Sequence, residues 1–204
     1  MQIRYISRLG GTALLSAAVL VLATFRAQDP SVVTMPKAPI RSRSDRIVYP
    51  ANHNPSFVLS TGELWHIRSI LNTRRKMRFG DFLWNDAGVP AGPTFVRIDL
   101  SKQTLSIFRA GHEVGFTVIL FGTDGKPTPL GVFPIIAKAK EHRSSLYDAE
   151  MPYMMRLTHD GVALHASNVR EGSATHGCIG VPLNFAELLY SQVKLGDRVL
   201  VVRS

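Results

Sequence analysis

The stretch His165-Ala166-Ser167, followed closely by Thr175-His176-Gly177-Cys178-Ile179-Gly180, gathers two histidines, several glycines and the chain's only cysteine. A thiol becomes a useful nucleophile when it is held as thiolate. That needs an imidazole or another positive element nearby, and the same imidazole can later protonate a departing amine. Two bases are open to Cys178. His176, two positions ahead, shares its face in an extended segment, although Gly177 between them can turn it away. His165 lies on a separate segment and can approach across a sheet. Gly177 lets the backbone come close to a bound carbonyl, and the amides of Gly177, Cys178 and Ile179 are candidates for an oxyanion site. Thr175 and Ser167 can orient an imidazole by hydrogen bonding. Two other readings compete with catalysis. Cys178 can be a small buried hydrophobe among satisfied polar groups. Alternatively, His165, His176, Cys178 and Asp160 can hold zinc, but their spacing matches no familiar closed site, so no metal and no cofactor is expected.

Such residues need strands to position them. Thr94 to Asp99, Thr104 to Arg109 and Glu113 to Phe121 alternate with period 2, separated by Ser101-Lys102-Gln103 and Ala110-Gly111-His112, which predicts an antiparallel meander. Gly122 to Gly131 forms a rigid loop rather than a phosphate cradle, because no strand and helix flank it in the required way. Further strands are predicted at Val132 to Ala139, Tyr153 to Leu157, Gly161 to His165 and Arg198 to Val202. A short helix is predicted at Asn184 to Gln192, with Phe185, Leu188 and Leu189 on one face. Upstream, Leu64, Ile67, Ile70 and Leu71 have helical spacing, with Thr61 as a cap and Glu63 in the first turn; one amphipathic helix is expected over Gly62 to Met77. A turn-rich segment, Asn85 to Pro93, then leads into the main domain. Trp65, Trp84, Met151, Met154 and Met155 are expected to pack in the core or at a substrate rim.

The N-terminal part reads differently. Arg4 and Arg8 precede an uncharged apolar stretch from Leu9 to Phe25, with Val21-Leu22-Ala23 near its end, the pattern of an export signal cut after Ala23 or kept as an anchor. Either outcome puts the rest of the chain outside the cytoplasm, in a periplasm or cell envelope. Residues 27 to 56 hold five prolines among Ser, Asn and Arg, which predicts a linker or extended arm. The organisation expected is therefore a signal or anchor over 1–26, a linker, short helix and basic arm over 27–93, and a catalytic domain over 94–204. The chain has 204 residues, is 45% hydrophobic and carries a net charge of +9. That size allows one ordinary buried core. The charge suits an anionic wall polymer or a membrane surface. Nucleic acid is not expected, since no aromatic-interleaved basic pattern or Cys/His finger accompanies the arginines.

The signature closing on Cys178 resembles that of the L,D-transpeptidase catalytic domain, the YkuD-like family, in which an upstream His is followed by Ser/Thr-His-Gly-Cys. Other blocks resemble the family in the same order: Phe95 to Leu100, Gly125 to Phe133, Met151 to Arg156 and Ala163 to Ala166. The resemblance covers roughly residues 94 to 203. It implies a mainly β domain, a sandwich or distorted barrel with a small helical element, and thioester chemistry on peptidoglycan stem peptides. Carried over by position, Cys178 is the nucleophile, His165 the general base, and His176 with Gly177 their support. Thr175 and Ser167 place the imidazole and contact substrate, and Tyr153 and Arg156 line the cleft. The acceptor is an amine of another stem or of an envelope protein. Attack by water instead makes the enzyme a carboxypeptidase or endopeptidase, and loss of chemistry leaves a wall-binding protein. One departure stands out. The family usually carries Arg or Asn two residues after the cysteine, where this chain has Gly180, so Arg156 or Arg170 is expected to substitute.

Overall fold

The computed structural model describes residues 46–51, 53–59, 62–123, 125–145 and 148–204. The expected signal or anchor over 1–26 lies outside them, as does the start of the linker. Among the described residues no helix is long and apolar enough to cross a membrane.

Alternation of apolar and polar residues sets the first hairpins. In β6 (Thr94–Asp99), β7 (Thr104–Arg109) and β8 (His112–Val118), Val96, Ile98, Leu105, Ile107 and Val114 are fully buried. Each such side chain contributes about 1.5–3 kcal/mol relative to exposure. The β7–β8 connection is the two-residue turn Ala110-Gly111. Both residues have positive φ (50° and 81°), as a tight hairpin whose twist matches its strands requires. Around this meander, β1 (Arg46–Val48), β4 (Ser69–Leu71), β5 (Phe82–Trp84), β9 (Gly131–Pro134) and β14 (Arg198–Val202) complete one sheet in the order β1-β4-β8-β7-β6-β14-β9, with β5 paired to β8. A second sheet has the order β10 (Ala137–Ala139), β11 (Met154–Arg156), β12 (Ala163–Ala166) and β13 (Ile179–Val181). A small hairpin pairs β2 (Ser56–Val58) with β3 (Leu64–His66). Both larger sheets are open, not closed into a barrel. The single helix described, α1 (Leu183–Gln192), buries Phe185, Ala186 and Leu189. Phe185 meets Phe82 and Trp84 edge-on, with centroids 5.8 and 5.6 Å apart.

The helix expected over Gly62 to Met77 is not there; that segment supplies β3 and β4. The buried positions are Trp65, Ile67, Ser69 and Leu71, a strict period of two, while Leu64, which started the helical pattern, is 47% exposed. Ser69 disguised the alternation because it is a polar residue buried for its hydrogen bonds: its hydroxyl accepts from Arg46 at 2.9 Å and meets His112 Nδ1 at 2.8 Å. The described part of the expected linker likewise contains strands. Arg46 in β1 donates to the carbonyls of Glu113 and Asn85, both at 2.6 Å, and so ties that strand to the sheet. The single run expected from Val132 to Ala139 divides into β9 and β10, which belong to different sheets. The two sheets are also joined beyond β8, where Leu120 and Gly180 exchange both backbone hydrogen bonds, at 2.9 and 3.0 Å.

Candidate active site

The register of the second sheet brings the chemistry together. Arg156 in β11 pairs with Ala163 in β12, and β12 runs parallel to β13 with Leu164 opposite Ile179 and His165 opposite Gly180. Cys178, one residue ahead of Ile179, therefore lies beside Ala163. Because alternate side chains point to opposite faces, Arg156, Ala163, Cys178, His165 and Gly180 share one face. Met155, Leu164 and Ile179 occupy the other, each 0% exposed in the main core. A slip of one residue would carry the reactive side chains into apolar packing, so burial of that opposite face fixes the site's register.

The turn delivering Cys178 is held from below. Gly177 has φ 100°, a conformation that strains any residue with a Cβ. Thr128, buried in the loop after β8, accepts from the Gly122 amide and donates to the Gly177 carbonyl, both at 2.9 Å. At Gly122 a Cβ would fall 2.2 Å from the Lys126 carbonyl and 2.5 Å from the Gly177 nitrogen, so that close approach also requires glycine. The Thr175 hydroxyl donates to the Cys178 carbonyl and closes the turn. The amides of Gly177 and Cys178, the candidates for an oxyanion site, belong to this turn.

Burial shifts both Cys178 and His165 toward their neutral forms. Burial pushes the Cys178 thiol above its ordinary value, opposed by a hydrogen bond from the Ala163 amide and by the Lys126 charge. Burial lowers His165, against the raising effect of its bond to the Ala166 carbonyl, and His142 adds to the lowering. That bond, 2.8 Å from Nδ1, also fixes the tautomer. A carbonyl only accepts, so Nδ1 carries the proton and Nε2 is the basic nitrogen. The thiol directs its own proton to the Gly161 carbonyl, 3.7 Å away.

Cys178, His165, His176, Thr175 and Arg156 line a common cavity of about 220 Å³. Ser167 stands behind His165, 3.3 Å from its Nδ1. Tyr153 does not line the cavity; its ring packs against Tyr190 of α1, centroids 5.7 Å apart, and its hydroxyl pairs with Glu187. Arg170 is exposed and donates to Asn168 at 2.9 Å, so it does not fill in for a side chain at 180. Arg156 faces the cavity two strands from Gly180. Met151 and Met154 pack against Cys178, whereas Met155, Trp84 and Trp65 are core. Lys126, His142, Ser144 and Asp160 also line the cavity. The sequence reading gave none of them a catalytic role; only the quoted Gly125 to Phe133 block signalled Lys126 and Thr128. No group of three or more potential ligands that could hold a metal ion occurs among the described residues.

Comparison with known proteins bears on this geometry. A family model described as the L,D-transpeptidase catalytic domain matches residues 93–201. Among solved structures, an L,D-transpeptidase from Stackebrandtia nassauensis is 28% identical with a TM-score of 0.51, covering 55% of this chain and 57% of that one. One from Mycobacterium tuberculosis is 24% identical (TM-score 0.50; 54% and 57% covered). A cysteine-to-serine mutant of an Enterococcus faecium L,D-transpeptidase is 18% identical (0.52; 74% and 75%). The latter two support the fold alone. The chain spans 57% of the length of the first two. No curated protein matches.

Proposed function

The chain belongs to the L,D-transpeptidase catalytic domain family, and from that premise we propose that it transfers peptidoglycan stem-peptide acyl groups through a thioester on Cys178. The observation that carries this reading is that Cys178 and His165 share one face of a parallel strand pair and one cavity. As the sulfur attacks the carbonyl of the third residue of a tetrapeptide stem, His165 Nε2 takes the thiol proton. The Gly177 and Cys178 amides receive the developing oxyanion. His165 returns the proton to the nitrogen of the departing D-alanine, which leaves a Cys178 thioester. An acceptor amine, from another stem or an envelope protein, then gives up a proton to His165 and displaces the thiol. Arg156 and Lys126, which line the cavity together with Asp160, suit the carboxylates of such a donor. Thr175 closes the nucleophile's turn, and His176 lines the cavity beside it. This reading sets the protein's work in the cell envelope.

Intact-mass spectrometry after incubation with a carbapenem tests it, since the family resemblance implies that this electrophilic β-lactam acylates the cysteine. The expected result is one adduct per chain, absent from Cys178→Ala. For His165→Gln an acylation rate lower by about 10²–10⁴ is expected, the usual worth of a positioned general base. A wild-type chain that stays unmodified, or an adduct that persists in Cys178→Ala, would overturn the assignment.

A further inference from the structure

A cavity of about 630 Å³ between the segment 48–68 and His112 of β8 shares no lining residue with the one around Cys178. All of its lining except His112 precedes residue 93, where the family match begins. Among the described residues its charged and titratable wall consists of His66, Arg68 and His112, without a carboxylate. His66 and Arg68 share one face, since Trp65, Ile67 and Ser69 alternate with them and are buried. The backbone of Arg68 is fixed on both sides: its amide donates to the Gly111 carbonyl at 2.7 Å and its carbonyl accepts from the Tyr49 amide at 2.9 Å. Its stem lies against the β7–β8 turn, where a Cβ on Gly111 would meet it at 3.1 Å. The guanidinium makes no ion pair among the described residues. His112 meets Ser69 Oγ through Nδ1 at 2.8 Å, and its Nε2 has no partner among the described residues. Burial, and then the charges of Arg46 and Arg68, hold this imidazole below its ordinary pKa. Arg46 gives its hydrogen bonds to Ser69 and two carbonyls; the carboxyl that opposes its charge, Glu113, is buried and does not line the cavity. The resulting field favours an anion. His66 and Arg68 also line a neighbouring cavity of about 600 Å³, where Glu63 and Asp197 supply acceptors beside Arg198.

We propose that this cavity binds the phosphate group of a polyol or sugar phosphate, with Arg68 as its principal ligand and His66 and His112 as further donors. The hydroxyls of the ester reach Glu63 and Asp197 in the neighbouring cavity. Phosphate suits three donors on separate segments better than a carboxylate does, because it offers an oxygen to each where a carboxylate has only two. The site does not rest on the thioester reading. Where both hold, the chain stays bound to a phosphate-bearing polymer through one cavity while the cysteine cavity, which shares no residue with it, remains open to a donor.

Proton NMR of the imidazole signals in the full chain tests this, with His66→Gln and His112→Gln to assign them. Glycerol 3-phosphate added at constant ionic strength should shift both signals saturably. It should also raise the His112 titration midpoint, because a bound anion offsets the cations that lower it. Inorganic phosphate should act in the same way but bind more weakly, since it lacks the ester's hydroxyls. Arg68→Gln, at an exposed position, should weaken binding about 10- to 100-fold, the worth of a charge-assisted bond, and melt as the wild type does. Chloride producing the same shifts, or an unchanged affinity in Arg68→Gln, overturns the site. Inorganic phosphate binding as tightly as the ester overturns the part given to Glu63 and Asp197. Failure of the carbapenem adduct would strike the proposed function and leave this site standing.

Discussion

At the scale of single residues, reactivity depends on groups that are not themselves reactive. Thr128 serves two backbone groups at once, the Gly122 amide and the Gly177 carbonyl, and is 4% exposed. Thr128→Val keeps the shape and strands both partners. Leaving a buried donor or acceptor unpaired costs about 1–3 kcal/mol. The variant should therefore melt lower, and its carbapenem acylation should slow as the turn at Gly177 loosens. Equal acylation with a lowered melting temperature would mean that Thr128 supports the fold but not the nucleophile's turn. Residue types singled out Cys178 with two candidate bases, His165 and His176, and the resemblance to the family's signature chose His165 between them. Thr128, Lys126 and His142 were not legible in the same way. They reach the cavity from distant loops, and nothing in their local spacing records it. Tyr153 failed for a related reason: its neighbours in sequence face the cavity region, but its own backbone, at φ 55°, turns its ring toward α1.

At the scale of elements, strands whose alternation was written in apolar residues were read to the residue: β6, β7 and β14 match their expected bounds. Where a polar residue takes a core position, the pattern misleads, as Ser69 did for β3 and β4. Glu113 is another buried polar residue. It is buried in β8, with its carboxylate accepting from the Leu71 amide of β4 at 2.7 Å. Burial raises its pKa from 4.5 to about 7, against the lowering effects of the Ser106 hydroxyl, the Leu71 amide and the Arg46 charge. A group whose pKa is higher in the folded state stabilises the fold fully below its unfolded value, and that contribution is lost as pH rises through the folded one. The wild type should thus lose stability between about pH 4.5 and 7 through this group. Glu113→Gln, which retains an acceptor for the Leu71 amide, should flatten that slope in thermal melts across the range. An unchanged slope would assign the pH dependence to other groups.

At the scale of the whole molecule, the proposed function makes charge and site act on one anionic acyl donor. The chain carries a net charge of +9, and among the described residues Lys126 and Arg156 line the cavity together with one carboxylate, that of Asp160. An acyl donor bearing carboxylates is drawn into such a cleft by a field that added salt weakens, since the screening length falls from about 10 Å at 0.1 M to about 3 Å at 1 M. Acylation by an anionic stem peptide, followed as thioester formation, should therefore slow several-fold between low and high salt. On the proposed mechanism, alkylation of the same sulfur by neutral iodoacetamide should change less, because Cys178 and His165 are half-buried and the reagent carries no charge for the field to act on. Arg156→Ala should raise KM for the anionic donor more than it lowers kcat and should reduce the salt dependence, since the removed cation meets the substrate's charge rather than the reacting carbonyl. Parallel salt responses for the charged and neutral reagents would instead locate the effect in Cys178 and His165 themselves, and the cations of the cavity would then have no part in drawing the donor in.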